Sequence, residues 1–150
     1  MGLDMFLDGS RYLSSYSTRD KPISENVIKN FPELVVIGID RIKNVTIEIG
    51  YWRKANAIHN WFVQNVQSGN DDCNDYYVSR ESLEKLKEIC QQVLNEPDRA
   101  EELFPPVDGF FFGSTEIDEG YYQDLTDTIE IIDKALQLDH TWGITYHSSW

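Results

Sequence analysis

The densest run of reactive side chains is Tyr51-Trp52-Arg53-Lys54-Ala55-Asn56-Ala57-Ile58-His59-Asn60-Trp61-Phe62. It holds two adjacent cations, amides, an imidazole and two indoles, and no carboxylate lies between Tyr51 and Asn70 to neutralise them. Tyr51, Ala55, Ile58 and Phe62 recur at helical spacing and Val66 continues the stripe, which predicts a helix starting near Tyr51. Arg53 and Lys54 then fall in its first turn, where the helix dipole disfavours cations by about 0.3–1 kcal/mol each. A bound anion would reverse that cost, because free N–H groups, dipole and side chains would converge on it. Trp52, Asn56 and His59 share a neighbouring stripe and add a stacking plane, an amide and a titratable ring. The chemistry expected is capture of a nucleotide-like anion by Trp52, Arg53, Lys54, Asn56 and His59. The competing reading has Arg53 and Lys54 paired with the chain's own acids, Trp52 and Trp61 in the core, and His59 as a hydrogen-bonded interior histidine.

A second constellation is acidic. Residues 118–138 carry the longest helical pattern, with Tyr122, Leu125, Ile129, Ile132 and Leu136 expected to face inward. Asp118, Asp124, Asp127, Glu130 and Asp133 all fall on a three-residue spacing, and Lys134 is the only base in that stretch. From Asp124 to Asp133 the ridge would run about 13.5 Å. A row of carboxylates that long can imitate phosphates and fill a basic groove on a partner; the plainer alternative is a solvated helix face.

Other candidates are thinner. Gly109-Phe110-Phe111-Phe112-Gly113-Ser114-Thr115-Glu116 reads as a short strand and a turn whose Ser114 could assist an anion, but it lacks the P-loop and nucleophile-elbow spacings. Ser114 or Thr115 capping the long helix is the plainer reading. Asn70–Glu81 imitates a calcium loop but has Asn at the first ligand position and Asp75 where a turn glycine is required. Cys73 and Cys90 have no C-x-x-C partner and His59, His140 and His147 are far apart, so no metal or other cofactor is expected. A hydrolase built on His59 and Glu116 lacks a nucleophile, a metal set and a phosphate loop, so a non-enzymatic protein is expected.

The elements that must position these groups follow from periodicity. Leu3, Met5 and Leu7 alternate with more polar neighbours and predict an opening strand. Residues 9–32 read as an excursion with a helical turn near Ser24–Lys29. Glu33–Asp40 and Asn44–Ile49 read as two strands of a hairpin. Ser79 caps a second helix through Leu83, Leu86, Ile89, Cys90 and Val93, with Val78 and Leu83 as a hydrophobic staple. Pro97 opens a short helix that Pro105 and Pro106 stop, and Trp142–Trp150 alternates as a closing strand. The expected fold is a single α+β domain over residues 1–150, with a mixed or antiparallel sheet of four to five strands and three main helices.

The whole chain of 150 residues carries −13 at neutral pH, which argues against binding nucleic acid directly. The charge is uneven: residues 1–70 sum to +1 and residues 71–150 to −14. No apolar run reaches the roughly 18–20 residues of a membrane span. Asp4 and Asp8 sit where a secretion signal would be basic and then apolar, and two cysteines make no disulfide framework, so a cytoplasmic setting is expected.

Several blocks resemble those of a family of small phage and prophage proteins. They are Met1-Gly2-Leu3-Asp4-Met5-Phe6-Leu7, Gly50–Val63, Asp72–Leu83, Gly109–Tyr121 and the ending His147-Ser148-Ser149-Trp150. The likeness spans most of the chain, with residues 8–45 the variable part. It implies a phage-encoded protein made inside a bacterium, and it supplies no reaction or ligand. The resulting expectation is an acidic protein that blocks a host immune or nucleic-acid-binding protein through Asp124, Asp127, Glu130 and Asp133. The alternative is a small-ligand binder or sponge built on Trp52, Arg53 and Lys54.

Overall fold

A computed structural model describes residues 2–108 and 115–150. One antiparallel sheet of four strands is covered on one face by helices, an α+β fold. Strand β1 (Asp4–Tyr12) pairs with β2 (Asn44–Arg53) on one side and β4 (Trp142–Ser149) on the other; the two-residue β3 (Tyr76–Tyr77) completes the order β2-β1-β4-β3. The β1 alternation has the expected physical cause: Met5, Leu7, Gly9 and Arg11 point into the core face while the residues between them face outward.

Among the described residues, five helices accompany the sheet. Helix α1 (Lys21–Asn30) follows β1; α2 (Asn56–Asn65) buries six of its ten residues. Helix α3 (Arg80–Asn95) begins at Ser79, whose hydroxyl accepts from the Ser82 N–H at 3.1 Å, and it buries Leu83, Leu86, Cys90 and Val93. Burial pushes the Cys90 thiol up to about 12, as expected of a core residue. Short α4 (Ala100–Leu103) leads toward α5 (Glu119–Leu136), which packs beside α3. Of the inward positions expected on α5, Leu125 and Ile132 are buried and Tyr122, Ile129 and Leu136 are partly so. Tyr121, Thr128, Ile131 and Ala135 complete the buried face.

The centre of the core is polar as well as aromatic. Tyr146 stacks on Phe62 with centroids 3.9 Å apart, and its hydroxyl lies 2.6 Å from His59 Nδ1. His59 Nε2 lies 3.0 Å from an Asp71 carboxylate oxygen. Burial pushes the Tyr146 hydroxyl far above its ordinary range, so it keeps its proton beside the His59 ring.

Two sequence expectations fail. Residues 33–40 form no strand; Pro32–Val36 and Ile39–Arg41 are 3₁₀ turns broken by Gly38 at φ +111°. β-Branched residues favour a strand only where a pleated surface receives them. Here β2 reaches past that segment to pair with β1, from Asp4↔Arg53 to Tyr12↔Asn44, so the expected hairpin does not exist. The second failure is the helix start: β2 runs on through Tyr51, Trp52 and Arg53, and α2 begins only at Asn56. The Gly109–Phe112 strand expectation lies outside the described residues.

Candidate functional site

The turn from β2 into α2 fixes the geometry of the cationic pair. Trp52 is on the core face, 3% exposed, and its indole N–H donates to Thr128 Oγ1 at 2.8 Å. The next residue of a strand must face the other way, so Arg53 is exposed. Lys54 follows with φ +57°, held by its own N–H on the Leu3 carbonyl at 2.8 Å and by the Asn56 N–H on its carbonyl at 3.0 Å. The left-handed region costs a residue bearing a Cβ about 1–2 kcal/mol. The turn thus places a lysine where a glycine would sit without strain.

Among the described residues, no carboxylate lies within 4 Å of the charged nitrogens of Arg53 or Lys54. Asp4, opposite Arg53 in the sheet register, instead accepts from the Tyr51 hydroxyl. The two cationic side chains run back toward the same point: a Cβ on Gly2 would lie 3.3 Å from Lys54 Cε and 3.8 Å from Arg53 Nη2.

Arg53 and Lys54 line a cleft of about 230 Å³ with Asn56, Ala57 and Ile58. The opposite wall carries Pro106, Val107, Glu116 and the first turns of α5, including Asp118, Tyr121 and Asp124. Asp118 caps α5 by accepting from the Tyr121 N–H at 2.9 Å; this role was expected of Ser114 or Thr115. Asp124 is half-buried, and desolvation, reinforced by Asp127 and Asp118, raises its carboxyl from 3.8 to about 6. The cleft therefore has a cationic wall and a wall of carboxylates.

The raised Asp124 value has a stability consequence. The folded chain binds this proton more tightly than the unfolded chain, so the group's contribution falls as pH rises from about 4 to 6. Asp124→Asn is expected to abolish that decline and to gain on the order of 1 kcal/mol at pH 7, discounted for partial exposure. Urea unfolding at pH 4.5 and pH 7 checks it; an equal effect at both pH values would contradict the assignment.

The six residues expected to hold a ligand separate. Arg53, Lys54 and Asn56 line the cleft. Trp52 is in the core and offers no stacking plane, and His59 is the interior histidine of the competing reading. Ser114 lies outside the described residues. Because the helix starts at Asn56, the dipole argument for Arg53 and Lys54 is replaced by the turn geometry.

The acidic ridge divides too. Asp124 turns into the cleft, Asp127 accepts from the Gln123 amide at 2.8 Å, and Asp133 pairs with Lys87, while Glu130 is exposed. The acidity around it is nonetheless extreme: residues 88–133 contain thirteen acids and one base, Arg99. Arg99 is taken by Glu96 at 2.8 Å and Glu102 at 3.0 Å. The sequence reading set Arg53 and Lys54 against the chain's own acids only as a class; that Asp118 and Asp124 share their cleft is not recorded locally across some seventy residues.

Among the described residues no group of His, Cys, Asp and Glu is placed to hold a metal ion, and no helix is long and apolar enough to cross a membrane. The Asn70–Glu81 loop is organised by Asp72, which accepts from the Asn74 N–H at 3.0 Å and the Tyr76 hydroxyl at 2.8 Å. No family model, curated protein or solved structure matches the chain.

Proposed function

We propose that the chain is a non-enzymatic binding protein that captures a nucleotide-like anion in the cleft between the β2–α2 turn and the start of α5. The observation that carries this reading is the pair of cations without an ion-pair partner among the described residues, one at a strained backbone position, on the wall of a concave site. A phosphate group would sit against Arg53 and Lys54, and ribose hydroxyls or a base amino group would donate to Asp124. At about 230 Å³ the cleft is below the roughly 300–1,000 Å³ of drug-sized sites, so it would enclose the phosphate and adjoining part of a nucleotide rather than the whole molecule. The phage resemblance fits a protein that sequesters a small molecule in the bacterial cytoplasm.

A thermal-shift panel tests this with nucleoside monophosphates, cyclic dinucleotides, uncharged nucleosides and inorganic phosphate. A nucleotide at a hundred times its Kd should add about 2.7 kcal/mol, a rise of roughly 5–11 °C for a domain this size. Nucleosides without phosphate should give almost no shift. No stabilisation by any phosphate-bearing ligand would refute the reading.

The second reading, supported by the thirteen acids against one base over residues 88–133, is docking of α4 and α5 into the basic groove of a host nucleic-acid-binding protein. It requires a captured partner that duplex DNA displaces, with capture lost in an Asp127→Lys/Glu130→Lys variant. Capture that is indifferent to that charge reversal would eliminate it.

A further inference from the structure

We infer, resting on the anion reading of the cleft, that it selects ribonucleotides over deoxyribonucleotides, with Asp118 and Asp124 accepting from the ribose hydroxyls across a notch left by Gly120. Gly120, Tyr121, Asp124 and Leu125 are the face of α5 that lines the cleft. Side chains on a helix lean toward its N-terminus, so the Asp124 carboxyl lies over the turn that holds Gly120. With no side chain at 120, that turn is open. Neither the backbone nor the packing requires this glycine. Its φ is not in the left-handed region, and a Cβ there would meet only Asp118, at 3.2 Å from Oδ1 and 4.0 Å from Cγ. A glycine within a helix is less stable than an alanine. What its missing side chain leaves is room on the cleft side, between two carboxylates.

The chemistry of that wall narrows the ligand. A bare anion gains nothing from Glu116, Asp118 and Asp124, which repel it. Among the described residues, nothing acting on the Asp124 carboxyl favours its charge: burial, Asp127 and Asp118 all oppose it. Hydroxyl donors from a ligand would supply the missing contact. Asp118 keeps acceptor capacity beyond the one bond it takes from the Tyr121 N–H. Ribose is the part of a nucleotide that adjoins the phosphate, and its 2′ and 3′ hydroxyls are neighbouring donors for neighbouring carboxylates. A carboxylate on a ribose hydroxyl is also how dinucleotide-binding folds read that sugar. A cleft of about 230 Å³ leaves the base outside, so base identity should matter little.

Calorimetric titration of the whole chain with AMP, GMP and 2′-deoxy-AMP tests the inference, alongside Asp124→Ala and Gly120→Ala. AMP and GMP should bind within about threefold of each other, and 2′-deoxy-AMP about tenfold or more weaker than AMP, the scale of one hydrogen bond to a charged group. Asp124→Ala should bring AMP and 2′-deoxy-AMP to within about threefold. Gly120→Ala should keep its circular dichroism spectrum and melting temperature, or melt higher, yet bind AMP only about as well as the wild type binds the deoxynucleotide. Equal wild-type binding of AMP and 2′-deoxy-AMP, an undiminished ratio in Asp124→Ala, or a Gly120→Ala chain that binds AMP normally would overturn the inference and leave anion capture standing. Failure of every nucleotide to bind would instead remove anion capture itself, and the ribose preference with it.

Discussion

Arg53→Glu should weaken nucleotide binding by at least a hundredfold, whereas Lys54→Gly should weaken it about tenfold or more while leaving the fold as stable as before or more so. The two substitutions separate function from stability. A hydrogen bond to a charged group is worth roughly 1.5–3 kcal/mol, and each 1.4 kcal/mol is tenfold in affinity. Removing the Lys54 charge forfeits one such contact, and reversing Arg53 adds repulsion to the loss. On the stability side, Lys54 sits at φ +57°, a region glycine enters freely. Relief of about 1–2 kcal/mol is offset by about 0.5–1 kcal/mol of extra unfolded-chain entropy, so the net change runs from near zero to a gain of about 1.5 kcal/mol. Calorimetric titration and urea unfolding of the same samples measure both quantities. A Lys54→Gly chain that binds normally would leave the lysine at that turn without a role in binding, and one that is clearly destabilised would contradict the strain at φ +57°.

Gly50→Ala should be the most damaging glycine-to-alanine change among the described glycines. A Cβ at Gly50 would lie 2.3, 2.6 and 2.7 Å from the Cγ2, Cγ1 and Cδ1 atoms of Ile131. Three atoms of one buried side chain cannot all yield by a small rotation, so α5 must lift from β2 or Ile131 must leave its rotamer. Overpacking of this kind costs about 1–3 kcal/mol, which is roughly 2–12 °C of melting temperature for a domain of this size. The double variant Gly50→Ala/Ile131→Ala should be less destabilised than the two single effects added together, because the second change removes the obstruction the first one meets. Strict additivity would show that the close approach of α5 to β2 is not what Gly50 permits. Because α5 carries Asp118 and Asp124, Gly50→Ala should also loosen nucleotide binding.

The α+β class, the opening and closing strands and the Ser79-capped helix were legible because each rests on a strong local period or cap. Residues 33–40 misled because their β-branched side chains state a preference that only a neighbouring strand could satisfy, and β1 was already paired on both sides. The Tyr51 boundary misled because Tyr51, Ala55 and Ile58 fit a helical stripe while Trp52 also fits the strand's inward face. The cationic pair survived that error because the absence of acids between Tyr51 and Asn70 does not depend on which element holds Arg53 and Lys54. The opposing carboxylate wall depends on how α5 crosses the sheet, and a three-residue spacing of acids contains no information about that.

If an external phosphate is the counter-ion of Arg53 and Lys54, the protein should carry one out of the cell. The most direct measurement is mass spectrometry of the small molecules released when the chain, purified from bacterial cells without added ligand, is denatured. A phosphate-bearing nucleotide released in near-stoichiometric amount from the wild type and absent from Arg53→Glu is the predicted result. Release of nothing, or of the same compound in equal amount from both proteins, would contradict it.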